Sequence, residues 1–352
     1  MHLTNNANVL IIGGGACGAY HGHLLSQAGQ PVAMVCRSNF NAVQKDGFQI
    51  AIGEGEASVV FRPSRVFRST SEAANAGIAF EHVLLFTKAT AGSDTAALVA
   101  PLLSKLNIKS VSLWHNGIGV EDSLARVLAA NESIHSVALV SAVVYAGISR
   151  RHETLIRTAG MQKSVAGLVD YLSLQPNHQM KQASADQSRS QQMLHFNELH
   201  TLLSSAFSFT PIPHIQSARW QKSLWNASIG LVSLVGCCAD VQTVVRTQQP
   251  LVRALMKEIV DAASCVLGTP LVEDEDATFE DLLTIPLDDS FKPDIVLDWE
   301  SGRELDHQVQ YGNLILAAKA AGASVPRLEA LYSVLQLMVF QRHCQTAGNI
   351  SK

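Results

Sequence analysis

The chain carries little charge and no large excess of one sign. Of its 352 residues 16% are charged, and the formal net charge is −4. Such a surface offers no general attraction to nucleic acid or to an anionic membrane. We therefore expect a partner that is recognised at a local site, namely a small molecule. The length is typical of two domains, and the 47% of hydrophobic residues can fill their cores.

Cysteine motifs and metal-binding spacings are missing. The six cysteines are scattered, and they form neither a CxxC pair nor a zinc spacing. This usage is typical of small buried side chains in a reducing compartment, so we expect a cytoplasmic protein. His21 and His23 stand two apart on a predicted helix and face different sides of it. The sequence therefore predicts no metal site.

Long unbroken hydrophobic runs are also absent. The longest apolar stretch, residues 224–241, contains Asn226, Ser228 and Ser233, and we expect a buried helix there rather than a membrane span. The first residues lack the basic start of a secretory signal. The apolar run that follows them is predicted to be the first strand.

In the first half, strand-like segments alternate with helix-like ones, which predicts a parallel sheet with helices on its faces. The predicted strands are residues 9–12, 32–36, 83–86, 111–114 and 137–144, with 154–168 as a further strand-rich stretch.

The composition changes after this half. Residues 170–195 are polar and rich in Ser, Gln and Asn, which predicts a linker or an exposed insertion. From residue 196 the apolar pattern is mostly helical, apart from an acidic, loop-like segment at 272–289. The predicted domains are therefore 1–169 and 196–352, with the polar linker between them.

A glycine-rich turn follows the first predicted strand and matches GxGxxG. In such a turn the first glycine allows a tight bend, the second lets a pyrophosphate approach the backbone, and the third lets the helix pack against the strand. The phosphate then lies at the positive end of the helix dipole. A purely structural turn is the alternative. The residues expected to bind a dinucleotide are Gly13, Gly14, Gly15, Ala16, Cys17 and Gly18.

Arg37 follows the second predicted strand, where NAD enzymes carry an acidic residue that holds the ribose diol. A cation at this place suits a 2′-phosphate, so the sequence predicts NADP(H) as the cofactor. An exposed arginine without a ligand is the alternative.

Two further strand ends carry polar residues. Lys88 follows one apolar strand, and His115 and Asn116 follow another. Ligands of a doubly wound sheet bind at the carboxyl ends of its strands, so these side chains are candidates for cofactor or substrate contacts. Taken alone, each is equally consistent with a solvated lysine or a turn asparagine.

The helical half offers Lys222 and Asn226, which are four residues apart and share one helix face. That face is otherwise apolar, and a lysine against an apolar surface has its pKa lowered towards the range of acid/base catalysis. A snorkelling lysine at the rim of the core is the alternative. Asp306 falls in the first turn of a later predicted helix, where a carboxylate is favoured in any case.

Six motifs occur in order along nearly the whole chain: GGGACG, FTKAT, HNGIG, WQKSLWNA, the segment from LD through GRELD to YG, and AAGASVP. Together they resemble the motifs of the ketopantoate reductases, within the superfamily of 6-phosphogluconate dehydrogenase-like enzymes. The resemblance implies an α/β Rossmann N-terminal domain, an all-α C-terminal domain and an active site in the cleft between them. It also implies NADPH-dependent reduction of a 2-keto acid to a 2-hydroxy acid, with ketopantoate, reduced to pantoate in pantothenate biosynthesis, as the leading substrate.

The resemblance also implies roles for individual residues. Lys222 resembles the catalytic lysine that protonates the carbonyl oxygen, and Asn226 its substrate-binding neighbour. Asn116 resembles the asparagine between nicotinamide and substrate, and Lys88 the lysine near the cofactor. Asp306 falls where the family has a glutamate that engages the lysine.

Three residues depart from the family's pattern around the expected substrate. Asp306 is one methylene shorter than the glutamate, Gly230 replaces a second asparagine, and Asp294 stands in place of a serine that helps to hold the substrate. A carboxylate at 294 repels a keto acid unless it is protonated or turned away. The alternatives are a reductase of another carbonyl or imine, and a non-catalytic NADP-binding protein. The long apolar helices are compatible with a homodimer, which the sequence does not require.

Overall fold

The computed structural model describes residues 8–53, 58–90, 92–174, 182–285, 287 and 290–350. By their contacts the described residues form two compact units. The first holds those up to His115 and those from Val120 to Ile215. The second holds Asn116–Gly119 and those from Gln216 onward.

The first unit is built on one twisted sheet whose described strands run in the order β4-β3-β9-β8-β7-β6-β1-β2-β5, with β10 beside β9. All pairs from β8 to β5 are parallel, and the pair of β8 and β9 is antiparallel. The strands are β1 (Val9–Ile12), β2 (Val32–Val35), β3 (Phe48–Ile52), β4 (Ser58–Phe61), β5 (Arg65–Phe67), β6 (His82–Leu85), β7 (Ser110–Leu113), β8 (Ala138–Arg150), β9 (Leu155–Leu168) and β10 (Phe209–Pro211).

The helices of this unit connect the parallel strands. Because helices cover both faces, the central strands β1, β2, β6 and β7 are buried at every residue and are continuous apolar or near-apolar runs. The helices are α1 (Ala16–Gln27), α2 (Phe40–Asp46), α3 (Thr70–Ala74), α4 (Thr95–Leu103), α5 (Asp122–Ala129) and α6 (Gln182–Ser204).

The predicted Rossmann half is confirmed, and each predicted strand corresponds to an observed one. The sequence analysis missed β3, β4, β5 and β10. These strands have five residues or fewer and carry exposed positions, so they lack the continuous apolar run that marks a central strand.

The structure differs from the predicted linker at 170–195. Its central part, 175–181, lies outside the described residues. Helix α6 occupies residues 182–195 of it, and Tyr171, in a short turn before the undescribed part, is fully buried. The amide of Gln192 donates to the His135 carbonyl at 2.6 Å, and a ring nitrogen of His195 lies 2.9 Å from the Ser136 carbonyl. The buried side chains of 183–195 are thus polar, whereas the apolar part of the buried face of α6, Phe196, Leu199 and Leu203, follows the predicted linker.

All regular elements among the described residues of the second unit are helices, as predicted. The stretch 224–241 is not one helix, however: it ends α7, forms a π-helical turn and the short α8, and bends sharply before α9. None of the described helices is long and apolar enough to cross a membrane. The elements are α7 (Ile215–Leu224), the first π segment (Trp225–Gly230), α8 (Leu231–Val235), α9 (Val241–Leu267), α10 (Glu275–Leu283), α11 (Asp294–Glu300), the second π segment (Gln308–Gly312), α12 (Asn313–Ala320) and α13 (Pro326–Ile350).

Helix α10 lies where the sequence analysis expected an acidic loop. The Asp274 carboxylate accepts from the Ala277 amide at 2.9 Å and caps the helix, and Glu275 and Asp276 follow in the first turn. Acidic residues are favoured at a helix N-terminus, so the same charges that suggested a loop stabilise the start of a helix.

The last helix is fixed by a buried carboxylate. Glu258 on α9 is 7% exposed, and its oxygens accept from the amides of Arg327 and Leu328 at 3.1–3.2 Å. The Arg327 guanidinium adds a contact at 2.9 Å. Glu258 therefore satisfies the N-terminal amides of α13 from another helix.

We expect Glu258→Ala to lower the free energy of unfolding by about 2–3 kcal/mol, because it leaves buried amides without acceptors. Urea denaturation measures the change. Glu329→Ala is the matched control, since Glu329 lies in the first turn of α13 but makes a surface ion pair with Lys319 at 2.8 Å. A surface pair contributes less than about 1 kcal/mol. Equal losses in the two variants would contradict the capping role.

Candidate functional site

The glycine turn joins β1 to α1 at the point where the strand order reverses, with β2 on one side of β1 and β6 on the other. Gly13 has φ +117°, and a Cβ on it would lie 2.8 Å from the Phe86 backbone. A Cβ on Gly18 would lie 2.1 Å from the Gly13 carbonyl oxygen. Both glycines are therefore required by the fold itself.

Gly15 is different, because a Cβ on it would meet nothing within 4 Å. It caps α1 without a side-chain hydrogen bond, and the first turn of α1 has no acidic residue. Amide groups at such an uncapped terminus attract an anion. The turn therefore fits the pyrophosphate of a dinucleotide, and Gly15 is the glycine that leaves room for it.

The ends of β2 and β5, which are adjacent parallel strands, carry one exposed arginine each: Arg37 and Arg68. The Arg68 guanidinium lies 3.9 Å from the centre of the Phe40 ring and donates to Asn41 at 2.9 Å. Arg68 was not predicted as a candidate, because β5 was not predicted. Two positively charged side chains thus lie at this edge of the sheet, where the sequence predicted only Arg37.

Lys88 and His115 lie past the carboxyl ends of β6 and β7, as the sequence predicted. Lys88 is exposed, whereas His115 is buried with its Nε2 atom 3.4 Å from the Thr87 hydroxyl. Among the described residues, no group of three His, Cys, Asp or Glu side chains is placed to hold a metal ion.

The turn that begins with Asn116 belongs by its contacts to the second unit. The Ile118 amide donates to the Val309 carbonyl at 2.8 Å, and the Asn313 side chain donates to the Ile118 carbonyl at 2.8 Å. A Cβ on Gly117 would lie 2.6 Å from the Val309 oxygen, so this position needs glycine. Asn116 is half-buried next to this anchored turn.

Lys222 lies in the last turn of α7, and Asn226 lies in the first π segment, which continues the same helix. Both side chains are half-buried. The Ser228 hydroxyl donates to the Leu224 carbonyl in this segment. Such a bond competes with the backbone ladder and favours local rearrangement of a helix. π-helical turns of this kind are frequent at functional sites.

Burial lowers the pKa of the Lys222 ammonium from its usual value of 10.5, and the negative charge of Asp294 partly opposes this effect. Asp294 is exposed in the first turn of α11. Asp306 is half-buried, and its carboxylate accepts from the Gln310 amide at 2.9 Å. The carboxylate whose charge raises the pKa of Lys222 is thus Asp294. The sequence drew attention to this residue because it stands in place of a serine of the family.

In the first unit the predicted residues gather at the carboxyl edge of the sheet and comprise the glycine turn, Arg37 and Lys88. In the second unit Lys222, Asn226 and Asp294 lie around the first π segment. Asn116 and Asp306 lie instead beside the second π segment, where the turn after Asn116 bonds to Val309 and Asp306 accepts from the Gln310 side chain. The assigned roles stay predictions.

The comparisons with known proteins bear on both groups. The sequence pattern of ketopantoate reductase PanE/ApbA matches residues 9–170, and that of ketopantoate reductase PanE/ApbA C terminal matches residues 214–339. Together the two matches span most of the chain. The chain belongs to the ketopantoate reductase family. The protein is therefore an oxidoreductase of the class that acts on CH–OH groups with a nicotinamide cofactor.

Individual relatives within and around the family are distant. The chain is 22% identical to 2-dehydropantoate 2-reductase of Nostoc sp., covering 95% of this chain and 96% of that one. It is 24% identical to an uncharacterized protein of Saccharomyces cerevisiae, covering 94% of this chain and 93% of that one.

Solved structures share the fold. The 2-dehydropantoate 2-reductase of Methylococcus capsulatus is 25% identical with a TM-score of 0.72, covering 96% of this chain and 97% of that chain. A D-mandelate dehydrogenase solved with NADH and anilino(oxo)acetate has a TM-score of 0.74 at 16% identity, covering 95% of this chain and 99% of that chain. At this identity the second likeness concerns the fold alone.

We expect Gly15→Val to weaken binding of the nicotinamide cofactor, tested with both NADPH and NADH, about tenfold or more, because its side chain fills the space left for the pyrophosphate. The fold should remain, since Gly15 has φ −83° and ψ −172°, which any residue adopts. Cofactor fluorescence gives the affinity, and thermal unfolding gives the stability. Gly18→Val should instead fail to fold stably, because a side chain at this position would clash with the Gly13 carbonyl oxygen. Unchanged NADPH affinity in a folded Gly15→Val protein would contradict this role.

Proposed function

We propose that the protein reduces a 2-keto acid to a 2-hydroxy acid with NADPH, and that ketopantoate is its leading substrate. One observation carries the proposal: in a member of this family, burial lowers the pKa of Lys222, and Asn226 lies on the same helix face. A desolvated lysine beside an amide suits the binding and protonation of a carbonyl oxygen. A cytoplasmic location remains part of the proposal, and a homodimer is compatible with it.

The first unit holds the cofactor. The amides at the start of α1 bind the pyrophosphate, with Gly15 leaving room for it, and Arg37 and Arg68 bind the 2′-phosphate. Lys88 contributes a further positive charge near the cofactor. When bound, the nicotinamide supplies the hydride.

The second unit supplies the proton. The Lys222 ammonium donates a hydrogen bond to the substrate carbonyl, which stabilises the negative charge that develops on the oxygen. Lys222 then gives that oxygen a proton, and its lowered pKa brings this step closer to neutral pH. Asn226 and Asn116 orient the carbonyl, and Asp306 supports Lys222.

A second candidate is a reductase of another carbonyl or an imine, and the carboxylates favour it. Asp294 is exposed in the first turn of α11, and it acts on Lys222. An anionic substrate near Lys222 therefore meets repulsion from this group. The likeness to D-mandelate dehydrogenase also shows that this fold serves other substrates.

The first experiment follows NADPH oxidation with ketopantoate, then with other 2-keto acids, aldehydes and imines. Turnover of ketopantoate or another 2-keto acid supports the main proposal. Turnover of uncharged carbonyls or imines alone supports the second candidate. Tight NADPH binding without any turnover would overturn both and favour a non-catalytic NADP-binding protein.

The pH dependence of kcat tests the role of Lys222. Because the protonated amine is the proton donor, kcat should fall as pH rises through the pKa of Lys222, which lies below 10.5. Asp294→Asn should move this fall to lower pH, because the carboxylate that raises the pKa is removed. Asp276→Asn on α10 is the matched control and should not move it, and Lys222→Ala should abolish the activity. A shift to higher pH in Asp294→Asn would contradict the assignment.

The KM values for NADPH and NADH test the proposed roles of Arg37 and Arg68. Arg37→Ala should raise KM for NADPH about 10- to 100-fold and leave KM for NADH nearly unchanged, because a charge-assisted contact to the 2′-phosphate is lost. Arg68→Ala should act in the same direction. Arg126→Ala removes an exposed cation on α5, the helix that follows β7, which β6 and β1 separate from β2, and it should change neither value. Equal effects on NADPH and NADH would argue against a 2′-phosphate site.

A further inference from the structure

The second π segment contains a buried hydroxyl without a partner. Tyr311 is fully buried, and no hydrogen-bond partner for its hydroxyl exists among the described residues. Gln308 of the same segment, by contrast, is well paired: its Oε1 atom accepts from the Tyr332 hydroxyl at 3.1 Å, and its amide donates to Asn313 at 3.0 Å. A buried hydroxyl that makes no hydrogen bond is costly to the fold and calls for a ligand or another explanation.

The hydroxyl borders a small gap in the first π segment. A Cβ on Gly230 would lie 3.9 Å from the Tyr311 hydroxyl and 4.0 Å from the Pro293 Cβ atom, both ordinary contact distances. Gly230 therefore leaves a carbon-sized space between these groups. The gap lies next to the candidate site, because Gly230 ends the same π segment that carries Asn226. Pro293 directly precedes Asp294, the carboxylate that acts on Lys222.

The hydroxyl is suited to donate to an anion. Burial, assisted by the charge of Asp306, raises the pKa of Tyr311 well above its ordinary value, so the phenol keeps its proton at neutral pH. A keto acid that binds near Asp294 and Asp306 needs donors to offset their negative charge. Lys222 and Asn226 supply two, and a neutral phenol adds a third without adding charge.

We propose that the Tyr311 hydroxyl donates a hydrogen bond to an oxygen of the bound keto acid across the gap at Gly230, and so helps to determine substrate specificity. The inference rests on the proposed function. In this inference the two π segments act together. Gly230 of the first segment leaves a space where another residue would have a side chain, and Tyr311 of the second segment places a hydrogen-bond donor beside that space.

Tyr311→Phe tests the inference, because it keeps the ring and deletes only the hydroxyl. We expect KM for the 2-keto acid to rise about tenfold, with a smaller change in kcat and no change in NADPH affinity. The ligand-free variant should melt at a higher temperature, since the buried hydroxyl without a partner is gone.

Gly230→Ala tests the gap independently. Gly230 has helical angles, φ −59° and ψ −45°, so alanine should stabilise the helix while its methyl group fills the space. We expect a higher melting temperature and a raised KM for the keto acid. Tyr332→Phe is the control: its loss of a hydrogen bond to Gln308 should lower the melting temperature and leave KM unchanged.

The outcomes separate this inference from the proposed function. A wild-type enzyme that reduces a 2-keto acid, with the same KM in Tyr311→Phe and Gly230→Ala, overturns the role of Tyr311 and leaves the function standing. A wild-type protein that neither reduces nor binds ketopantoate or phenylglyoxylate in its NADPH complex, by turnover and thermal shift, overturns both.

Discussion

Helix α1 lies so close to the end of β1 that only glycine fits at their contact. A Cβ on Gly18 would lie 2.1 Å from the Gly13 oxygen, and Gly13 itself requires a positive φ. This approach brings the amide end of α1 to the carboxyl edge of the sheet, where the strand order reverses. Every candidate cofactor contact of the first unit lies along that edge, because parallel strands end there together.

The second unit relies on a different constraint, the burial of polar groups among helices. Glu258 is satisfied by the amides of α13, and that contact stabilises the fold. The burial of Lys222 and Tyr311 is less favourable. Burial disfavours the charged form of Lys222, and the Tyr311 hydroxyl has no hydrogen-bond partner among the described residues. A substrate can satisfy groups in this condition, and on that ground both are proposed as site residues.

Much of the fold could be predicted because its signals are local. The central strands are unbroken apolar runs, and the glycine turn has a fixed spacing between a strand and a helix. The prediction of secondary structure was wrong where the sequence pattern was weak or was consistent with both a helix and a loop. Helix α6 buries Gln192 and His195 through hydrogen bonds rather than apolar contacts, and α10 begins with acidic residues that also suit a loop.

The sequence by itself determined the Rossmann and helical halves, the glycine turn between β1 and α1 and the four-residue spacing of Lys222 and Asn226, because each depends on residues close along the chain. Tertiary structure alone decided which residues meet across long separations. It placed Arg68 on the strand beside Arg37, Asp294 where its charge acts on Lys222, and the Tyr311 hydroxyl 3.9 Å from a Cβ position on Gly230. No local pattern encodes such contacts, since they arise from the packing of strands and helices that are distant in the chain.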